Sequence, residues 1–171
     1  MDAIGSQFGL KYYLESAYPD KKIYCLGSDC PVSQRNNVHM DVIDDEVVAS
    51  SLAIVLDTSN AARIDDERYQ LAKKSIRIDH HVQVETICDE EWIDDKASAT
   101  CELLALYFQE KKVDIPVESA LMLYLGLTAD NIRFTTNNVR PATFDAAKYL
   151  FEQGVDVTKV EQLNSVSYTH L

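Results

Sequence analysis

Nowhere in the sequence does an apolar run approach the roughly 20 residues that a bilayer-spanning helix needs, so no transmembrane helix is expected. The first residues also lack the basic-then-apolar pattern of a secretory signal, and the simplest compartment is the cytoplasm. Positive charge is scarce: 16 Lys and Arg face 28 Asp and Glu, a formal net charge of -12. This balance argues against a surface built to grip long nucleic acid, and no membrane partner is expected. A short or small anionic substrate remains compatible with it, provided that metal ions locally reverse the field. The cysteines Cys25, Cys30, Cys88 and Cys101 lack paired zinc-type spacing and read as reduced, partly buried thiols. Internal repeats and low-complexity linkers are missing as well. What remains is an ordinary globular composition, 46% hydrophobic and 26% charged over 171 residues, enough for one sizeable core.

The chemistry gathers where apolar runs stop. Ser75 to Ile78 is a short β-branched run that ends in Asp79, His80 and His81. Ile76 and Ile78 suit a buried strand, which places the carboxylate and the two imidazoles at its carboxyl end, where open α/β sheets keep their sites. Leu52 to Leu56 repeats the design and closes in Asp57, followed by Thr58-Ser59-Asn60. Imidazole is a good ligand for a divalent metal, and an adjacent carboxylate can fix its tautomer. The plainer alternatives are a histidine pair decorating a loop and an Asp57 that only caps the next turn.

Along the chain, the spacing of Phe8, Leu10, Tyr13 and Leu14 predicts a helix from about Ser6 to Ala17, stopped by Pro19. Its N-terminus could face an anion near Asp2; equally, Asp2 and Ser6 could simply cap it. Lys22 to Leu26 reads as a strand and the segment through Val38 as loop, with His39 a solvated residue. A short helix is expected from Asp44 to Ser50, and a short helix or turn from Asp65 to Lys74. Cys88 to Asp95 is acidic, with Trp92 packed beneath it. Three helices follow, over Ala99 to Lys111, from Pro116 towards Thr128, and from Pro141 to a C-cap at Gly154. A turn and a short extended piece are expected after Asp130, and a last amphipathic turn from Val157 to Leu163. The expected class is α/β, a mainly parallel sheet flanked by helices and followed by a helical second half.

Taken together, Asp2-Ala3-Ile4-Gly5-Ser6, Leu56-Asp57-Thr58-Ser59, Asp79-His80-His81 and Thr128-Ala129-Asp130 resemble the ordered motifs of the DHH phosphoesterase superfamily. Within it, the chain looks most like the bacterial bifunctional oligoribonuclease/pAp phosphatase branch. The resemblance implies a manganese-dependent phosphoesterase acting on short oligoribonucleotides or 3'-phosphoadenosine 5'-phosphate. It implies that Asp57 bridges two Mn2+ ions, that Asp2, His80 and Asp130 complete the second site, and that His81 lies near the scissile phosphate. Asp79 would orient an imidazole from behind, and Arg133 would either bind phosphate or serve as a surface arginine. In the family, a His and an Asp precede the residue matching Asp2, and a C-terminal substrate-binding domain follows. The expectation is therefore a catalytic domain over residues 1–163, missing its first strand and first ligands, that keeps one ion and is inactive or weakly active. Residues 164–171 read as an unstructured or foreign tail. Asn131-Ile132 stands where Thr-Gly is common, which bears on the turn. Cyclic dinucleotide phosphodiesterase, pyrophosphatase and a non-catalytic metal- or nucleotide-binding domain remain the alternatives.

Overall fold

In the computed structural model, which describes residues 1–160, the strands β1 (Leu52–Leu56), β2 (Lys74–Asp79) and β3 (Glu90–Ile93) pair side by side in that order, all parallel. Leu56 aligns with Ile78, and Ile78 with Trp92, so the strands end together and bring the residues after them to one edge. Around them lie the helices α1 (Asp2–Ala17), α2 (Pro31–Arg35), α3 (Asp45–Ala49), α4 (Thr100–Glu110), α5 (Val117–Asp130) and α6 (Pro141–Glu152). The expected α/β class with a helical second half holds. Leu104, Phe108, Leu123, Leu125, Leu127 and Leu150 form the centre of the core, where helix packing rather than the sheet contributes most apolar burial. Among the described residues no helix is long and apolar enough to cross a membrane. The expected tail over 164–171 and the end of the turn to Leu163 lie outside the described residues.

The packing of α1 on α5 depends on glycine. A Cβ added at Gly5 would lie 2.6 Å from the Met122 carbonyl oxygen and 3.0 Å from the Gly126 Cα, and one at Gly9 would strike Leu123. The two helices run antiparallel, so Asp2 at the start of one and Asp130 at the end of the other come to the same end of the molecule. Ser119 Oγ donates to the Gly9 carbonyl at 2.6 Å and fixes the register. A second set of polar contacts ties α4 to α6. The buried Glu102 carboxylate accepts from Ser98 N, Ser98 Oγ, Thr143 Oγ1 and Arg140 Nε at 2.7–3.0 Å. Arg140 Nη2 in turn donates to Asp94 just past β3.

Several expectations need correction. Helix α1 begins at Asp2 rather than Ser6, and neither side chain caps it. Lys22 to Leu26 is not a strand: Cys25 N donates to the Asp41 carboxylate, its carbonyl accepts from Asp41 N, and Gln7 Nε2 donates to Leu26 O. Its hydrogen-bonding groups are thus taken by α1 and a loop, and the segment never reaches the sheet. Within the loop that follows, Pro31–Arg35 forms a short helix started by proline and capped by Cys30. The acidic stretch around Glu90 is a strand, and Trp92 lies on its outer face against Tyr107, 37% exposed. The acidic residues there have a buried partner, since Glu91 sits 3.6 Å from Arg77.

After Asp130 the chain is not extended. Ile132, Arg133 and Phe134 all hold positive φ, at 48°, 56° and 65°, around the buried Asn131, whose Oδ1 accepts from Phe134 N. A β-branched residue is strained in this region by about 1–2 kcal/mol or more. Ile132 is 64% exposed, so its side chain returns little by burial. Ile132→Gly is expected to raise stability by about 1 kcal/mol after glycine's greater entropy loss, and so to raise Tm by about 2–4 °C in thermal denaturation. A lower Tm would show that the side chain's packing outweighs the backbone strain.

Candidate metal centre

Asp57 is the first residue past β1, and it turns sharply, with φ at 57°, while its N–H still donates to the Ile78 carbonyl. Asp and Asn tolerate this conformation better than other side chains, so the residue that ends the strand can also present its carboxylate over the sheet edge. His80 follows β2 directly. Its Nε2 lies 3.4 Å from Asp130 Oδ2, 3.5 Å from Asp57 Oδ1 and 3.7 Å from Asp2 Oδ2. Its other nitrogen, Nδ1, sits 3.3 Å from the Ala97 carbonyl, which accepts a hydrogen bond from it and turns Nε2 toward the three carboxylates. Asp2, His80 and Asp130 form one group whose ligand atoms lie within 4.8 Å of one another; Asp57, His80 and His81 form a second.

Each carboxylate has its own support. Asp2 is buried beneath the start of α4, where Thr100 N donates to Oδ2 at 2.6 Å and Cys101 N to Oδ1 at 3.0 Å. It therefore caps a helix, but one distant in sequence from its own, and it gains from that helix's positive end. Thr100 Oγ1 also reaches Asp57 Oδ1 at 3.3 Å, so one residue touches two of the acids. Asp130 stands at the C-terminus of α5, whose negative end favours a cation. Behind the pair of histidines, Asp79 is fully buried. One oxygen receives His80 N at 2.9 Å and His81 Nδ1 at 2.6 Å, and the other pairs with Arg77 Nη2 at 2.7 Å.

The charge state of the cluster shows what it lacks. Burial first, and the neighbouring Asp57 second, push the Asp2 carboxyl up to about 7. Burial likewise raises Asp130. Burial opposes protonation of His80, yet Asp57, Asp2 and Asp130 together outweigh it and hold the imidazole up at about 9. The group thus retains protons where positive charge is short. Nε2 of His80 is buried and, among the described residues, has no hydrogen-bond partner. A divalent cation would fit: Asp2, His80 and Asp130, with Asp57 beside them, would hold it in place of those protons, and it would neutralise the carboxylates and use the Nε2 lone pair that proton loss frees. Oxygen and imidazole donors together suit manganese or a similar ion.

Beside the cluster opens a cavity of about 310 Å³ lined by Ala3, Asp57, Thr58, Arg63, His81 and Asp130. The structure thus gathers Asp2, Asp57, His80, His81 and Asp130, with Asp79 behind them. Arg133 is exposed on the left-handed turn, its N–H bonded to Thr128 O, and is not among the residues lining this cavity. Sequence reasoning missed Thr100 and Arg63. Both have a faint signal, a small polar residue opening a helix and a basic residue closing the turn after Asp57.

A parallel sheet with carboxylates and imidazoles at its carboxyl ends, joined by acids from two helix ends, defines an α/β domain built around a candidate cation-binding pocket. The profile of the DHH family, N-terminal domain, matches residues 1–127, and the chain belongs to that family. It is 35% identical over 154 residues to the bifunctional oligoribonuclease and PAP phosphatase NrnA of Bacillus subtilis, an alignment that covers 88% of this chain and 49% of that protein. Its match to the protein of the same name in Mycoplasma genitalium is 28% identical and covers 99% of the chain and 55% of the relative. An exopolyphosphatase-related protein from Bacteroides fragilis shares the fold with a TM-score of 0.79 at 23% identity, over 99% of this chain and 54% of its own. The chain spans about half the length of the curated relatives it matches.

Proposed function

We propose that this chain is the catalytic domain of a manganese-dependent phosphoesterase that hydrolyses short oligoribonucleotides and 3'-phosphoadenosine 5'-phosphate. The observation that carries this reading is the convergence of Asp2, Asp57 and Asp130 on the unpartnered Nε2 of His80, from four separate segments of the chain. The NrnA relatives, whose names give these two activities, support the substrate class.

Asp2, His80 and Asp130 would hold the ion, with Asp57 alongside. A divalent cation here supplies Lewis-acid neutralisation of a phosphoryl oxygen and makes water a stronger acid. The chain's own residues do the rest. The Ala97 carbonyl fixes the His80 tautomer, and the α4 N–H groups fix Asp2. Asp79 accepts a hydrogen bond from His81 Nδ1, which keeps Nε2 of that imidazole available to a phosphate oxygen or to the departing hydroxyl in the adjoining cavity. Because both acid-imidazole groups include His80, whose Nε2 can ligate one ion, these residues hold one ion tightly rather than two.

Hydrolysis by this chain alone is therefore expected to be weak, since two-metal phosphoryl chemistry clamps both the attacking and the leaving oxygen. Calorimetric titration should find one tight Mn2+ per chain. Slow release of phosphate from 3'-phosphoadenosine 5'-phosphate, and of mononucleotides from a trinucleotide, should stop in EDTA and return with added manganese. Absence of cation binding, or hydrolysis indifferent to chelation, refutes the proposal; two equally tight ions refute the one-ion assignment.

A further inference from the structure

The cavity beside the cluster has one cationic wall residue, Arg63, and no feature of the carboxylate cluster accounts for it. Arg63 closes the short 3₁₀ turn Ala61–Arg63, six residues past Asp57. That turn is fixed at both ends. Ala61 N donates to the Glu85 carboxylate at 2.7 Å, and Arg63 N donates to Asn60 O at 3.2 Å. Thr58 Oγ1 also donates to Asn60 O, which ties the turn back to the end of β1. Glu85 belongs to the loop that follows His81, and its carbonyl accepts from the buried Arg77. Arg63 and His81 therefore sit on two loops clipped together across the mouth of the cavity.

The guanidinium itself is left without an anion. Nearby acids are engaged elsewhere: Asp66 pairs with Arg68 at 2.7 Å, and Asp65 accepts from Ser28 N. Among the described residues no carboxylate forms an ion pair with Arg63, although the chain carries a net charge of -12. An exposed arginine on the wall of a ligand-sized space, on a turn held by hydrogen bonds and without an internal ion-pair partner, has its planar donor fork available to a doubly acceptor group such as a phosphate.

We propose that Arg63 binds a phosphate of the substrate, opposite the cation-holding acids, and so selects phosphorylated nucleotides over neutral ones. This rests on the phosphoesterase reading for its substrate class, and the experiment separates the two. Binding of 3'-phosphoadenosine 5'-phosphate and of adenosine is measured by calorimetry with manganese present, for the wild-type chain, Arg63→Gln and Arg63→Lys. Manganese affinity is measured separately for each. Arg63→Gln should weaken the bisphosphate about 10-fold to 100-fold, leave manganese affinity and adenosine binding unchanged, and be partly rescued by Arg63→Lys. Equal bisphosphate binding by wild type and Arg63→Gln overturns the assignment, as does a parallel loss of manganese, which would make Arg63 a structural support of the cluster. If the wild-type chain binds bisphosphate through Arg63 yet hydrolyses nothing, the catalytic reading fails and Arg63 stands. If it hydrolyses with the same KM in wild type and Arg63→Gln, Arg63 fails alone.

Discussion

Asp57→Asn is expected to abolish phosphate release and to weaken divalent-cation binding by at least about 100-fold, while leaving the stability of the fold nearly unchanged. Residues that merely orient a ligand typically cost 10–100-fold in affinity when replaced, so loss of a carboxylate from the cluster itself lies at or beyond the upper end of that range. The unchanged stability follows from two features. Asn tolerates the left-handed backbone at this position as well as Asp does. Although burial opposes its charge, His80 and His81 hold the Asp57 carboxyl below the usual range, and loss of that attraction is offset by relief of the repulsion that helps lift Asp2 to about 7. Manganese titration alongside thermal denaturation without metal checks both halves. Retained affinity would show that Asp57 only shapes the turn, and a large drop in Tm would show that it is a structural residue.

The second large effect is in the sheet. Arg77→Met is expected to destabilise the chain by about 3–5 kcal/mol, because Arg77 and Asp79 are both fully buried and the substitution strands the carboxylate without its partner. At about 2–4 °C per kcal/mol for a chain of this size, Tm should fall by roughly 6–20 °C. The interaction is not ideal even in the native chain, since Arg77 Nε is buried and unpartnered among the described residues. A double variant, Arg77→Met with Asp79→Asn, removes both charges and should recover a good part of the loss, which a double-mutant cycle will read as coupling between the two sites. Additive losses would mean that the pair does not act together. Because Asp79 also accepts a hydrogen bond from His81 Nδ1, the pair connects the stability of the sheet to the orientation of a residue in the candidate active site.

Asp57 and the Arg77–Asp79 pair differ in how far the sequence makes them legible. Asp57 and His80 declared themselves because an apolar run that ends abruptly in a ligand-type residue marks the end of a buried strand, and there are two such runs. Asp130 was visible as an acid at a helix end. Asp2 could be reached only through the order of motifs, since its support comes from α4, about a hundred residues away, and local spacing carries no trace of that contact. Strand β3 was hidden for a related reason. Glu90 and Glu91 read as surface acids until Arg77 is known to be buried next to one of them. Lys22 to Leu26 erred in the opposite direction, because a β-rich pentapeptide does not say whether another strand lies beside it. The left-handed run over Ile132 to Phe134 was invisible because Ile is among the residues least expected there.

The glycine contact between α1 and α5 has a bearing on ion choice. With main chain against main chain at Gly5 and Gly126, the two helices work as a caliper whose jaws are the carboxylates of Asp2 and Asp130, and the gauge is set by the backbone rather than by adjustable side chains. A caliper set this close would favour the shorter metal–oxygen distances of small divalent ions over the 2.3–2.6 Å that calcium prefers.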